Sequence, residues 1–600
     1  MNTVTLAQVA VKSNPWSDWG YVVGPFLFYL SVVWILVFAG RSKAHNPVVN
    51  FFERISDSLK RSTGYPGWSM AGALTGLLVL LVAAMGLYWD VAWHIDLGRD
   101  KMLLNPSHVM ILLGLGGLMF ASAIAVIFAT IDKAPVGFQF RGMTIPYTAM
   151  AMTALGMGGI LAFPFDELWH RAYGLDVTLW SPTHLQLLGG GSLATIPVWM
   201  MIAEGARGAT PTKLGRFIHI MAAGACLVGL TTFEGEFDFG VPQFQLVYLP
   251  ILMMLAATIG LVWARLALGP WGAVKTVAFY WGVRLFLILI VAVALNHTVP
   301  RFPLYLGSAL CVELAALWVG TQNRLRFALV AGGLVGTVGL FLEGLFIQVS
   351  GWASINPNLV PKSMILGLGA ALAGSIIGAR LARIFITEPE TERSLIPAAA
   401  TAAAFVAMAA ILAYPLPRDV GNVDVVIRTE RVGDMANVEV QLDPPNAADN
   451  AVGFGLTSWQ GGGFKFVELR EVGEGRYVST EPVPVTGSWK SMVNLLRGTE
   501  VMAAPIYMPE DRLIDAPAVP VVPERRTEFV KNTKILLREV RPGPAWPAMV
   551  AFTEVALITI VWISLIRFAD SRIQQRRRDA GVLPPKGRLA MGFSGMFPKS

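Results

Sequence analysis

Two stretches of this sequence repeat a set of side chains that bind metal ions. In each copy an aspartate precedes a histidine by four residues, and a second histidine follows fourteen residues later inside a Pro-Ser/Thr-His triplet. The two sets, 76 positions apart, are Asp90, His94 and His108, and Asp166, His170 and His184. Because residues i and i+4 share one face of a helix, each aspartate can bind one ion together with its nearer histidine. We interpret the repeat as a duplicated Asp-His-His metal site.

Aspartate oxygen and histidine nitrogen form a ligand set of intermediate softness, which suits copper, or less well zinc, rather than magnesium or calcium. Three protein ligands leave a coordination position open for water, dioxygen or substrate, as in reactive metal sites. The alternative to metal binding is a purely structural role for the repeated motif. In it, Ser107 and Thr183 cap the helices that follow them. Trp93 and Trp169 then belong to an aromatic belt at the membrane interface. Repetition of all three ligands at one spacing favours metal binding over this alternative.

The composition is that of an integral membrane protein. The chain has 600 residues, of which 54% are hydrophobic and 14% charged, and its mean hydropathy is +0.56. The net charge of +7 concentrates in short loops and in the last residues, so it indicates membrane orientation and not nucleic-acid binding. The two cysteines, Cys226 and Cys311, both lie in apolar runs, which excludes a disulfide framework or a cysteine-based zinc site.

About thirteen apolar runs approach the roughly 20 residues that a helix needs to cross a bilayer. We therefore predict a polytopic α-helical membrane protein. The predicted spans lie near residues 20–40, 69–92, 107–131, 145–165, 183–205, 217–233, 244–267, 275–296, 303–320, 326–349, 361–385, 396–415 and 546–567. Glycine and alanine runs at 114–117, 189–191 and 367–374 suit close packing of such helices.

Lysine and arginine fall in alternate loops, which predicts the orientation of the chain in a cell (inner) membrane. The N-terminus is predicted outside and the C-terminus in the cytoplasm. The second and fourth spans then run outward, and both Asp-His-His sets lie near the extracytoplasmic face.

Residues 417–540 differ in character from the rest of the chain. Alternating stretches such as 423–428 and 438–442, separated by glycine and proline, predict short strands. We expect an immunoglobulin-like β-sandwich on the extracytoplasmic side. The predicted organisation is a transmembrane helical domain at 1–416, the β-domain at 417–540, a final transmembrane helix at 541–567 and a basic cytoplasmic tail at 568–600.

Charged residues in or near the spans are weaker signals. Glu234, Glu236 and Asp238 close the sixth span and either line the cavity of the metal sites or belong to a hydrated loop. Three further charges inside spans are expected to pair with one another for structural reasons: Arg284, Glu313 and Glu343. For His219 and His297 a structural role is favoured over a catalytic one.

The first motif resembles a transmembrane subunit of the copper membrane monooxygenases, the family of particulate methane and ammonia monooxygenases. The resemblance rests on the segment Asp90-Val91-Ala92-Trp93-His94, on Arg99-Asp100 and on Pro106-Ser107-His108. That subunit has an Asp-His-His copper site of closely similar spacing and a second, Asn-His-His site, which matches Asp166, His170 and His184. Here one additional residue separates His94 from His108, and Asp166 stands in place of the asparagine. The resemblance covers roughly residues 70–205, about a quarter of the chain.

The resemblance implies that both sites bind copper, and that the chain is a copper-dependent membrane monooxygenase, or a subunit of one, acting on a small apolar substrate. It also implies an electron or copper donor and further monooxygenase-like subunits, and we expect an oligomer embedded in membrane lipid. A copper acquisition or delivery protein without oxygenase activity is the alternative. A transporter is disfavoured because the third and fifth spans continue from their histidines mostly as Leu, Gly, Met and Ala.

Overall fold

The computed structural model describes residues 20–41, 47–99, 104–174, 178–206, 208–352, 356–385, 396–415, 420–512, 514–540 and 542–579. Three features considered above lie outside these residues: the chain before residue 20, Asp100 of the Arg-Asp pair, and the basic tail beyond residue 579.

Most of the described chain is helical. The first helices are α1 (Gly20–Arg41), α2 (Pro47–Thr63), α3 (Gly67–Asp96), α4 (Pro106–Ile131), α5 (Tyr147–Tyr173), α6 (Pro182–Gly205), α7 (Lys213–Thr231) and the short α8 (Gly235–Asp238). They are followed by α9 (Tyr248–Leu268), α10 (Gly272–Ile288), α11 (Leu306–Val319), α12 (Arg324–Leu334), α13 (Leu340–Val349), α14 (Val360–Leu381), α15 (Ala398–Ala413), α16 (Thr533–Leu536) and α17 (Ala545–Asp579). A small hairpin, β1 (Phe138–Phe140) and β2 (Met143–Ile145), joins α4 to α5.

Ten helical segments within the described residues are long and apolar enough to cross a membrane. Shorter apolar stretches occupy Phe26–Ile35 within α1, Leu306–Val319 and Ala398–Ala413. The prediction of a mostly helical, membrane-type protein is therefore confirmed. The number of thirteen spans stays a prediction.

Helices α3 to α6 pack closely because glycine removes the side chain where two backbones meet. A Cβ atom added to Gly114 of α4 would lie 2.4 Å from the Cβ of Ala83 in α3. A Cβ added to Gly190 of α6 would lie 3.0 Å from the Cα of Gly159 in α5. The predicted packing role of these glycine runs is confirmed at these two positions. The four helices that carry the Asp-His-His residues thus form one closely packed unit.

The strands between Asp424 and Lys531 form a single antiparallel sheet of ten strands. The strands are β3 (Asp424–Val432), β4 (Met435–Asp443), β5 (Ala451–Trp459), β6 (Phe464–Gly473), β7 (Arg476–Ser479), β8 (Val483–Pro484), β9 (Lys490–Arg497), β10 (Glu500–Tyr507), β11 (Glu524–Glu528) and β12 (Val530–Lys531). Apolar residues from distant strands, such as Val425, Val440, Leu456 and Met502, pack into one core, so the sheet curls in a barrel-like manner. The β-domain is confirmed at this level. The immunoglobulin-like sandwich stays a prediction.

The last helix, α17, continues to Asp579, beyond the predicted end of the span at residue 567. Its basic end is held against the helical bundle: Arg576 donates to the carbonyl oxygen of Pro135 at 2.8 Å, and Arg577 donates to that of Ala203 at 3.1 Å. Residues 568–579, predicted as the start of the basic tail, therefore belong to the last helix.

Candidate metal centres

The structure brings the residues of each predicted set together. Within each set, each residue offers one oxygen or nitrogen atom that can bind a metal, and these three atoms lie within 4.8 Å of one another. The aspartate and nearer histidine of the first set lie on the last turns of α3, and those of the second set on the last turns of α5. The second histidine of each set lies in the first turn of the next helix, α4 or α6.

In the first set, one carboxylate contacts both histidines. The Nε2 atom of His108 is 3.0 Å from Oδ1 of Asp90, and Nε2 of His94 is 3.5 Å from Oδ2. In the second set the corresponding distances are 3.4 Å from His184 to Asp166 and 3.7 Å from His170 to Asp166. Two donor atoms bound at ~2.1 Å to one tetrahedral ion are roughly 3.4 Å apart. Both sets therefore have the spacing needed to bind a single ion.

The hydroxyl residue of each triplet orients the aspartate. Ser107 donates to Oδ1 of Asp90 at 2.7 Å, and Thr183 donates to Oδ1 of Asp166 at 2.6 Å. The alternative that these two hydroxyls cap their helices is wrong. The caps are Asn105 and Ser181, whose side chains accept hydrogen bonds from the backbone N–H groups of the two triplet histidines. The Ser107 hydroxyl also lies 2.7 Å from Oδ1 of Asn105, so it is shared between the cap and the carboxylate.

Two histidines are oriented by backbone carbonyl groups. Nδ1 of His94 lies 3.2 Å from the carbonyl oxygen of Gly98, and Nδ1 of His184 is hydrogen-bonded to that of Thr178. Since a carbonyl oxygen only accepts, the Nδ1 atoms carry the hydrogen, and the neutral ring then has a lone pair on Nε2. That lone pair faces a carboxylate oxygen in both sets, a contact that either a proton on Nε2 or a metal ion between the two atoms satisfies. The donor set and its orientation therefore fit a metal ion held by Nε2.

Both sets line the same cavity, which has a volume of about 540 Å³. Its remaining wall is largely aliphatic and aromatic, and includes Leu77, Leu80, Leu115, Leu187, Val228 and Phe279. The ring of Phe163, one turn before Asp166, also lines it and stands edge-on to the ring of His108, with 5.6 Å between the centroids. The cavity can hold a small apolar molecule beside both sets.

The β-domain covers one end of this cavity. Trp459 and Gln460, at the end of β5, and Leu536 and Leu537, near the end of the domain, are among its lining residues. The Nε2 group of Gln460 donates to the carbonyl oxygen of His94 at 3.1 Å. These contacts join residues more than 300 positions apart, so the sequence contained no spacing signal for them.

A cluster of charges on the β-domain reinforces this contact. Arg99, just after α3, forms an ion pair with Asp511 at 2.6 Å. Lys490 is buried nearby, where burial lowers the pKa of its ammonium group, while Glu539 partly offsets this effect and Arg99 adds to it. The β-domain is therefore electrostatically coupled to the segment that follows the first Asp-His-His set.

The acidic residues after α7 are buried, which excludes the hydrated-loop alternative for them. Glu236 lines the cavity, as one of the two alternatives predicted. Asp238 instead accepts from Tyr88 at 2.8 Å and from Arg284 at 3.1 Å. Tyr88 lies on α3 two residues before Asp90, and Arg284 lies on α10. Asp238, which accepts from both, therefore links α10 to the helix of the first set.

The expected mutual pairing of the three intramembrane charges is wrong. Arg284 pairs with Asp238, and Glu313 pairs with Arg265 at 2.7 Å. Glu343 accepts from the backbone N–H groups of residues 304 and 305, at the start of α11. In the fold, each of these three charged groups lies closer to a different partner than to the other two charged groups. Helical spacing in the sequence does not predict such partners.

The remaining described histidines lie outside the two sets. His297 is 2.9 Å from the Asp96 carboxylate, and so holds the end of α3 against the loop after α10. His219 packs on Phe385 with 5.2 Å between ring centroids. Both contacts agree with the structural roles expected for these residues.

The two sets thus provide, at one apolar cavity, two places where a metal ion with an open coordination position can meet a small molecule. Comparison of the chain with protein-family models, with curated proteins and with solved structures finds no match.

Proposed function

We propose that this chain is a copper-binding integral membrane protein that acts as a copper-dependent monooxygenase, or as a subunit of one, on a small apolar substrate. The observation that carries the proposal is the position of both Asp-His-His sets on one largely apolar cavity. An apolar substrate can reach such a cavity from lipid, and the cavity wall excludes bulk water from it.

The residues of the chain have separate tasks in this proposal. Asp90, His94 and His108 would hold one ion. Asp166, His170 and His184 would hold the second. Copper, when bound, would supply the redox chemistry that reduces dioxygen, with electrons from an external donor. The Leu, Val and Phe side chains of the cavity would position the substrate, and Ser107 and Thr183 would hold the carboxylates.

Metal analysis of the purified protein tests the first half of the proposal. Wild-type protein should bind two copper ions, His108→Ala and His184→Ala one each, and the double variant none. His219→Ala, which removes a histidine outside both sets, is the matched control and should keep two. Full copper content in the double variant would refute the assignment of the sites.

Oxidation of small hydrocarbons in cells that depend on this protein tests the second half. Ala225 lines the cavity, and Ala225→Phe should reduce oxidation at least tenfold while copper content stays at two. Unchanged oxidation in His108→Ala and in His184→Ala would leave a copper-binding protein without oxygenase activity.

A copper acquisition or delivery protein is the second candidate. The contact of Trp459 and Gln460 with the cavity favours it, because an outer domain seated there is placed to control exchange of the ion. A delivery protein should transfer copper to an acceptor within minutes, and its transfer rate should depend on the β-domain contact.

We also propose the finer architecture predicted above. It comprises thirteen spans in a cell (inner) membrane, an extracytoplasmic β-domain of immunoglobulin-like type and a cytoplasmic C-terminus. Partner subunits, an electron donor and an oligomeric assembly belong to the same proposal, since a monooxygenase requires electrons from outside this chain.

A further inference from the structure

A second cavity lies at the other end of the helical bundle from the β-domain. Helix α3 begins beside Tyr65, which lines this cavity, and ends at Asp96, where the β-domain is seated. The cavity has a volume of about 300 Å³ and is called here the basal pocket. The residues that define it include Tyr65, Arg216, His219, Lys275, Phe385 and Arg577.

Among the described residues, the charged side chains that line the basal pocket are all positive. They are Arg216, Lys275 and Arg577. Arg577 is only 9% exposed. It donates to the carbonyl oxygens of Ile384 and Ala203, which are neutral acceptors.

The two other cations also lack a carboxylate partner among the described residues. Arg216 donates to the carbonyl oxygen of Pro211 at 3.2 Å, and Lys275 to that of Pro270 at 3.1 Å. Asp570, on the same helix as Arg577, is engaged by Arg380 at 3.4 Å. None of the three cations forms an ion pair with a described residue; Arg577 is buried, whereas Arg216 and Lys275 are exposed.

The inner wall of the pocket is apolar. Ile202, Leu268 and Phe385 contribute to it, and the ring of His219 packs on Phe385. The Nε2 atom of His219 is buried and has no hydrogen-bond partner within the described part of the chain. The pocket thus combines an apolar wall with cationic groups and an unused polar nitrogen, a pattern that matches a molecule with an anionic head and an apolar body.

We infer that the basal pocket binds a phosphate group, supplied by an anionic phospholipid at this end of the bundle. Guanidinium and ammonium groups bind phosphate oxygens well, and basic pockets between transmembrane helices bind such headgroups. Free inorganic phosphate has the same head chemistry but no acyl chain to contact the apolar wall.

Native mass spectrometry of the full-length protein in detergent tests this inference. The probes are phosphatidylglycerol, phosphatidylcholine with the same acyl chains, and inorganic phosphate. Each cation near an anionic headgroup contributes about fivefold in affinity, so Arg216→Gln/Lys275→Gln should bind phosphatidylglycerol about 30-fold more weakly. The control, Arg54→Gln/Lys213→Gln, removes two exposed cations that do not line the pocket and should bind it like wild type.

A second variant keeps the charges and fills the space. Ala206 lines the pocket, and Ala206→Phe should also lose phosphatidylglycerol. Equal binding of phosphatidylglycerol by wild type and either pocket variant, or equal binding of both lipids by wild type, would overturn the inference. A third outcome is that millimolar phosphate displaces phosphatidylglycerol from wild type and that both pocket variants also lose phosphate binding. This would support the phosphate site but assign it to the free anion.

Discussion

Asp90 and Asp166 each use their two oxygens differently. Oδ1 accepts a hydrogen bond from the hydroxyl of the triplet, Ser107 or Thr183, while Oδ2 is the oxygen nearer the histidine four residues later. A carboxylate held in this way loses less rotational freedom when an ion binds, because its orientation is already set. The hydroxyl groups should therefore contribute to metal affinity without binding the ion.

Removing these hydroxyls should weaken metal binding. Ser107→Ala and Thr183→Ala are each expected to lower the copper affinity of their own site by about tenfold, the lower limit for groups that orient metal ligands. A chelator competition titration measures this. Ser107→Thr and Thr183→Ser keep the hydroxyl and serve as controls. Unchanged affinity in both alanine variants would mean that the hydroxyls only stabilise the helix ends.

The charge of Asp166 should set the reduction potential of the second site. A carboxylate stabilises Cu(II) more than Cu(I), so Asp166→Asn should raise the potential of copper at that site. A tenfold change in relative affinity for the two oxidation states corresponds to about 59 mV for one electron, and a rise of at least this size is expected. Potentiometric titration followed by electron paramagnetic resonance measures it, with His184→Ala used to remove the signal of the second site. A lower potential in the variant would contradict the prediction.

At the scale of elements, the loop between β5 and β6 completes helix α3. The backbone N–H of Gln460 donates to the carbonyl oxygen of Ile95 at 2.8 Å, and that of Gly462 donates to Asp96 at 2.9 Å. Carbonyl groups in the last turn of a helix lack partners within the helix, so this loop satisfies groups that α3 leaves open. The β-domain thereby fixes the end of the helix that carries His94.

A side chain at Gly461 should disturb this contact. A Cβ atom at Gly461 would lie 2.0 Å from the ring of Trp489, whereas one at Gly463 would be 4.0 Å from it. Overpacking of this kind costs about 1–3 kcal/mol. Gly461→Ala should therefore increase the rate of copper loss from the first site about fivefold or more and leave the second site unchanged, as measured by stopped-flow chelation. Gly463→Ala is the matched control, and equal rates in both variants would exclude a role of the loop in holding the first site.

At the scale of the whole molecule, the two ends of the bundle differ in chemistry. The β-domain and both Asp-His-His sets lie at one end, and the basal pocket, with its three cations, lies at the other. In the orientation predicted from the lysine and arginine residues, the end with the basal pocket would face the cytoplasm.

Cysteine labelling of intact cells tests that orientation. Cys226 and Cys311 are buried, so the background should be low. A maleimide that does not cross membranes should label Asn450→Cys, at an exposed position of the β-domain, and should not label Ser62→Cys at the other end of the bundle until the membrane is opened. The reverse pattern would place both Asp-His-His sets on the cytoplasmic side.

The sequence by itself determined the features that depend on short spacings. Asp90 with His94, and Asp166 with His170, were predictable because four residues span one helical turn, and the apolar runs were predictable because length and hydropathy decide whether a helix can cross a bilayer. The second histidine of each set was predictable only because the motif occurs twice.

Only the tertiary structure decided which distant elements meet. It placed both Asp-His-His sets on one cavity, paired Arg284 with Asp238 instead of with Glu313 or Glu343, and seated Gln460 on the end of α3. It also gave Asn105 and Ser181 the capping role that the disfavoured alternative had assigned to Ser107 and Thr183. These contacts depend on how whole helices and the β-domain pack against each other. A contact between two residues far apart in the chain leaves no periodic pattern in the sequence from which it can be predicted.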